Sequence, residues 1–266
     1  MTKLAGAVLC ALLLPGCRRP DASLVPLIRL TSRDYAFSAP SEIPAGVVHL
    51  RLVNEGPDIH EAMIVRFDGP GSAATYVDAV RGGDDFPAFA IDLGGAGLAS
   101  AGDSTDIYLK LEPGRYAVVC WKGDHLQRGM AHDLVVREAV PSIARAPRED
   151  VTIIMREYGF EMPATIAPGP HIIKVTNRGA QPHEMDIVQL RPGKTMRDYT
   201  DWLDHDEEGP PPLKVIGGTG DFWSGREVWI PVMLPAGKFF LLCQVPDAGN
   251  GKPHYQLGMT REFEVK

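Results

Sequence analysis

Cys120-Trp-Lys-Gly-Asp-His125-Leu-Gln-Arg-Gly-Met130 stands near the middle of the chain, and Cys243-Gln-Val-Pro-Asp-Ala-Gly-Asn-Gly-Lys-Pro-His254-Tyr-Gln-Leu-Gly-Met259 stands near its end. Both stretches run cysteine, histidine, four residues, methionine. They differ by six residues inserted between Cys243 and His254, while the His-to-Met unit is unchanged. The two cysteines are 123 residues apart. The same offset maps Tyr35 to Tyr158, Phe37 to Phe160, Gly46 to Gly169, Asn54 to Asn177 and Gly56 to Gly179. It also maps His60 to His183, Glu61 to Glu184, Tyr76 to Tyr199 and Gly114 to Gly237. A constant offset held over about 85 residues means one domain written twice. The copies are expected over 27–137 and 150–266. The linker, 138–149, lies in the polar, proline-bearing join REAVPSIARAPRED.

Within each copy the apolar residues alternate. Leu50 and Leu52 alternate with His49 and Arg51, and Ile173 and Val175 with Ile172 and Lys174. Ile107, Leu109 and Leu111 share a parity, as do Ile230, Val232 and Leu234. This is the period of half-buried strands. Pro113-Gly114 and Ala236-Gly237 turn the chain into the strands that lead to the cysteines. Short helices are expected at Ser72–Arg81 and Met196–Asp204. The acidic group Asp201, Asp204, Asp206, Glu207 and Glu208 reads as a solvated face. The fold class is all-β: two tandem Greek-key β-sandwiches.

Composition agrees. The 266 residues include 28 Gly and 23 Pro, as many strand turns require. With 44% hydrophobic and 23% charged residues the chain is globular rather than disordered. A net charge of −7 leaves no electrostatic footprint for nucleic acid. Met1–Gly16 reads as a signal peptide: a short basic start, then the apolar run LAGAVLCALLL, too short to span a bilayer. Leu14-Pro15-Gly16-Cys17 resembles a bacterial lipobox, which makes Cys17 the lipidated first residue and 17–26 a tether. The protein is then expected to be exported to the periplasm or cell surface and anchored by lipid. No later stretch is apolar enough for a transmembrane helix.

Cys10 and Cys17 belong to this address. Cys120 and Cys243 remain, and each has two histidines and a methionine in its copy, with His60 and His183 upstream. A disulfide between them, inert burial, or metal binding would each account for two cysteines. Only metal accounts for the repeated histidines and methionines. A thiolate, two imidazoles and an axial thioether make a blue-copper site, and the thioether argues against zinc.

The constellation resembles the cupredoxin family, the plastocyanin- and azurin-like blue copper proteins, over both copies. The resemblance implies the ligands His60, Cys120, His125 and Met130, then His183, Cys243, His254 and Met259, with two coppers per chain. It implies electron transfer with redox partner proteins, through the solvent edge of His125 and His254. The His-x4-Met spacing is similar to that of copper nitrite reductases. Many cupredoxins carry Asn after the first histidine, where it braces the ligand loop. Here Glu61 and Glu184 stand there, and Asn54 and Asn177, six residues before each histidine, are candidates to share that bracing. Copper storage or delivery without electron transfer is an alternative. A two-domain copper oxidoreductase is a third, but no two histidines are two apart and Val119 and Leu242 precede the cysteines. The chain is therefore expected not to be an enzyme. His49, His132, His171 and His205 have no partner spacing, and His49 shares the outward parity of Arg51. Trp121 is read as half-buried packing.

Overall fold

The computed structural model describes residues 25–139, 144–205 and 207–266. The signal peptide, Cys17, residues 140–143 of the linker and Asp206 lie outside these. The first copy runs β1 (Leu27–Arg33), β2 (Ala36–Ser38), β3 (Glu42–Pro44), β4 (Gly46–Asn54), β5 (His60–Phe67), α1 (Ala73–Arg81), β6 (Ala90–Ala99), β7 (Ser104–Leu111), β8 (Gly114–Val119) and β9 (Ala131–Arg137). The second runs β10 (Val151–Arg156), β11 (Gly159–Glu161), β12 (Gly169–Asn177), β13 (His183–Leu190), α2 (Met196–Asp204), β14 (Leu213–Phe222), β15 (Glu227–Leu234), β16 (Gly237–Leu242) and β17 (Thr260–Val265). No helix among the described residues is long and apolar enough to cross a membrane.

Alternation decides which way each outer strand faces. In β4, Val48, Leu50, Leu52 and Asn54 are buried while the residues between them are part-exposed. In β7, Thr105, Ile107, Leu109 and Leu111 are the buried set. β5 is buried along nearly its whole length, because it is covered on both sides. Ala62 and Ile64 face the main core. Met63, Val65 and Phe67 pack on Tyr76, Val77 and Val80 of α1. Each helix begins on a capping box, Ser72 with Thr75 and Thr195 with Asp198, which satisfies amide groups the first turn leaves open.

The sheets do not stop at the boundary between copies. One sheet runs β11-β10-β12-β15-β7-β4-β1-β2 and the other β17-β16-β13-β14-β6-β5-β8-β9-β3. β6 and β14 join antiparallel at Thr219↔Ala96 and Phe222↔Leu93, and β7 and β15 at Trp229↔Tyr108. Thr219 is the counterpart of Ala96 at the 123-residue offset, so the seam sits on a local pseudo-two-fold axis. Glycine permits the approach. A Cβ at Gly97 would lie 2.5 Å from the carbonyl carbon of Gly218 across the seam. The motif Gly94-Gly95-x-Gly97 recurs as Gly217-Gly218-x-Gly220. The main hydrophobic core draws on both copies, from Leu30 and Leu50 to Ile173 and Phe239. Leu98 of the first copy packs in a smaller cluster with Val188, Tyr199 and Leu242 of the second.

Candidate metal centres

The first residue of β5 and the loop after β8 meet at one end of the first copy. His60 Nδ1 and His125 Nδ1 are 3.1 Å apart. Cys120 Sγ lies 3.5 Å from His125 Nδ1 and 3.9 Å from His60 Nδ1. The second copy repeats this: His183 Nδ1 and His254 Nδ1 are 3.0 Å apart, and Cys243 Sγ is 3.5 Å from His254 Nδ1. Both cysteines are free and buried. Met130 and Met259 are fully buried and close their loops: Met130 N–H donates to His125 O and Met259 N–H to His254 O. In return Cys120 N–H donates to Met130 O, and Cys243 N–H to Met259 O. Among the described residues, His60–Cys120–His125 and His183–Cys243–His254 are the clusters of three His, Cys, Asp or Glu donors within 4.8 Å of one another. His49, His132, His171 and His205 join neither.

The donor set suits a soft or borderline metal ion. Burial pushes the Cys120 thiol up to about 12, with the Glu61 charge adding to it. Burial and Glu184 hold the Cys243 thiol well above its usual range. Such thiols ionise against a bound cation. Burial lowers His125, helped by His60, and lowers His254. Burial and His254 bring His183 down to about 4. Imidazoles held neutral present a lone pair, which a metal requires.

The residues around each triad hold it in place. Glu61 accepts from Trp121 N–H at 3.0 Å, and Glu184 from Gln244 N–H, so each acid pins the residue after the cysteine. Asn54 and Asn177 act elsewhere. Asn54 Nδ2 donates to Asp58 O at 2.6 Å and Ala99 O at 2.9 Å, and its Oδ1 accepts from Gly56 N–H. Asn177 does the same with Gln181 O, Phe222 O and Gly179 N–H. The asparagines therefore fix the turn before the upstream histidine, and the glutamates fix the cysteine loop.

Asp34 and Glu157 are a further pair that the sequence reading passed over. Asp34 Oδ1 is 2.7 Å from His60 Nε2. With Nε2–H donating there, Nδ1 keeps its lone pair toward the triad. Glu157 Oε1 stands 3.4 Å from His183 Nε2, which lacks a hydrogen-bond partner. Oε1 is taken by the N–H groups of Ala180 and Gln181. A Cβ at Gly56 would lie 2.5 Å from Asp34 Oδ1, and one at Gly179 2.5 Å from His183 Nε2, so these repeated glycines make room for the contact. The signal was available: an acid precedes each repeated tyrosine.

Tyr35 and Tyr158 set their rings edge-on to His125 and His254, at 5.0 and 5.1 Å. Arg128 caps Tyr35 at 4.2 Å, whereas Tyr158 donates its hydroxyl to Asp247 Oδ2 at 2.6 Å. The expectation of solvent-edge histidines fails in the second copy. His254 is 0% exposed and His125 is 7% exposed. The longer loop causes this. It folds back through Pro246↔Pro253, and Asp247 Oδ1 accepts from Gly249 and Asn250 N–H. His125 instead borders a groove that Asp58, Arg191 and Trp202 also line. The acidic group of α2 is also not simply solvated. Asp204 accepts from Tyr255 Oη–H, and Glu207 pairs with Lys122 of the other copy. His49 is part-buried, bonded to Asp106 at 2.6 Å and stacked on Tyr108 at 4.3 Å. Trp121 packs edge-on against Tyr76 at 6.2 Å.

No protein-family model matches the sequence, and no curated protein matches it. Solved structures do resemble it. Reduced auracyanin from Roseiflexus castenholzii is 22% identical, covering 42% of this chain and 96% of its own, with a TM-score of 0.32. Auracyanin A, a "blue" copper protein from Chloroflexus aurantiacus, is 22% identical, covering 42% and 98%, also at 0.32. Copper nitrite reductase from Nitrosomonas europaea is 13% identical, covering 91% and 94%, at 0.27. The fold class is all-β. Two β-sandwich-like halves stand in tandem, each carrying a buried Cys-His-His group.

Proposed function

We propose that this chain is a copper-binding electron carrier with one type 1 centre in each copy. The centres are His60, Cys120, His125 and Met130, and His183, Cys243, His254 and Met259. The observation that carries the reading is the convergence, twice, of two inward Nδ1 atoms and one buried Sγ. When bound, copper supplies a one-electron couple that thiolate, imidazole and thioether together stabilise in both oxidation states.

The chain's own residues prepare this. Glu61 and Glu184 hold the loops behind the cysteines, and Asp34 fixes the His60 tautomer. The rings of Tyr35 and Tyr158 pack edge-on against His125 and His254. A rigid donor set that does not rearrange between oxidation states suits electron transfer better than release of the metal. His125, which borders a groove, is the entry edge for a redox partner protein. The second centre lies behind its longer loop. We place the protein at the periplasmic face or cell surface of a bacterium, tethered through lipidated Cys17.

The test is the visible spectrum of the oxidised, copper-loaded protein together with copper content. Two coppers per chain and an intense thiolate-to-copper band are expected. Cys120→Ser and Cys243→Ser should each remove one copper and about half of the band. An unchanged spectrum in both variants would overturn the reading. Sustained turnover of nitrite or a phenol would instead make the protein a copper oxidoreductase, and Cu(I) transfer without electron exchange would make it a delivery module.

A further inference from the structure

The two triads share their donors but not the charges around them. In the first copy a carboxylate faces the outer nitrogen of each histidine. Asp34 Oδ1 is 2.7 Å from His60 Nε2, and the Asp34 side chain is only 21% exposed. Gly56 lacks the Cβ that would stand 2.5 Å from Asp34 Oδ1 and 3.0 Å from His60 Nε2, so the backbone leaves room for this contact. Asp58 Oδ2 lies 4.0 Å from His125 Nε2. Arg128, the cation over Tyr35, is already paired with Asp124 at 2.8 Å.

In the second copy neither outer nitrogen is bonded. His183 Nε2 and His254 Nε2 are both buried without a hydrogen-bond partner. Glu157 stands off at 3.4 Å, with Oε1 committed to two backbone amides. Asp247, the acid of the longer loop, receives the Tyr158 hydroxyl, the Gln181 amide and the N–H groups of Gly249 and Asn250, which spread its charge over four donors. Glu61 and Glu184 hold matching places behind the cysteines and do not distinguish the copies.

Oxidation adds one positive charge to a bound copper ion. A carboxylate that accepts the outer N–H makes the imidazole a better donor and places negative charge beside the site. Both effects favour the cupric ion. Unbonded imidazoles in a buried pocket leave the added charge uncompensated, which favours the cuprous ion. We propose, on the copper reading of both triads, that the two centres have unequal potentials, the first lower than the second, and that Asp34 is the positioning residue that sets the difference through His60. An order of filling follows. The first electron delivered by a reductant to the fully oxidised chain settles on the second centre, turning one cupric ion cuprous with no proton moved and no bond broken.

The test is a redox titration of the copper-loaded full chain, followed through its thiolate-to-copper band. Two resolved one-electron waves are expected. Cys243→Ser keeps only the first centre and Cys120→Ser only the second, which assigns them. The second potential should be higher by at least about 59 mV, a tenfold stronger preference for the cuprous ion. Asp34→Asn keeps an acceptor oxygen and removes the charge. It should raise the first potential by a similar amount and leave the second unchanged, a shift that a merely structural residue would not produce. Glu157→Gln should move the second potential by less. Gly56→Ala, whose methyl would displace Asp34 Oδ1, should also raise the first potential, and it replaces Asp34→Asn if that variant does not hold copper. Coincident potentials, or a lower second one, in a chain with two blue coppers would overturn this inference and leave the copper reading standing. An unshifted first potential in Asp34→Asn would overturn the role of Asp34. A chain that takes up copper without a thiolate-to-copper band would overturn the copper reading and this inference with it.

Discussion

His60 and His183 occupy equivalent places, yet their outer nitrogens meet different surroundings. In the first copy Asp34 approaches Nε2 to 2.7 Å. In the second, Glu157 is one methylene longer, spends its oxygen on two backbone amides, and leaves His183 Nε2 at 3.4 Å without a bond. At the opposite side of each triad the contrast is reversed. His125 borders a groove, whereas His254 is shut in by a loop that hangs on Asp247, Tyr158 and Gln181. The same three donors are therefore stiffened from the strand side in one copy and from the loop side in the other. Duplication preserved the donors and left their supports free to diverge.

The comparison can be broken most forcefully through the core. Leu50→Ala and Ile173→Ala truncate equivalent, fully buried side chains, and each is expected to cost about 2–5 kcal/mol. Because both belong to one continuous core, denaturant unfolding should remain a single transition. Two separated transitions would show that the copies are independent. At the seam, Gly97→Ala places a methyl against the Gly218 backbone and should cost about 1–3 kcal/mol, read by the same titration.

Asp34→Ala addresses the histidines directly. It should lower copper affinity at the first centre by about 10–100-fold in a chelator competition. Glu157→Ala should lower it less at the second, and equal losses would erase the difference drawn above. The smallest effect lies on the outer sheet, where the first copy has His49–Asp106–Arg51 and the second has Lys174–Glu227. Burial tends to raise Asp106, but hydrogen bonds from His49 and Arg51 outweigh it and leave its pKa lowered. A lowered folded pKa means its contribution is complete above the unfolded value of about 3.9 and is lost as pH falls through the folded one. Asp106→Asn should flatten that acid limb by roughly 1 kcal/mol. An unchanged limb would remove Asp106 from the account.

Much of this was legible in the residues. Alternation around Leu50 and Ile173 announced the strands, and the 123-residue offset announced two copies. The cysteine-to-histidine spacing marked two of the three donors that converge in each copy, because both sit on one loop. What was not legible depends on partners distant in sequence. Asp34 meets His60 from the turn after β1, 26 residues away in sequence, and the acid before each repeated tyrosine is a weak signal because it is Asp in one copy and Glu in the other. The joined sheets were missed because β6 and β14 are buried on both sides and rich in glycine, so alternation lapses there. The repeated Gly-Gly-x-Gly was the remaining clue, since a sandwich edge free in solvent has no need of bare backbone.

That seam pairs each edge strand with its own counterpart, Ala96 opposite Thr219. A surface that fits its own duplicate does not need to be on the same polypeptide. Either half produced alone would present the β6 or β14 edge unprotected, with a second molecule of itself as the nearest matching template. Self-association of the separated halves, visible by sedimentation, is the expected consequence. The tandem chain then corresponds to a two-fold dimer whose subunits were tied end to end, a step that made the pairing independent of concentration.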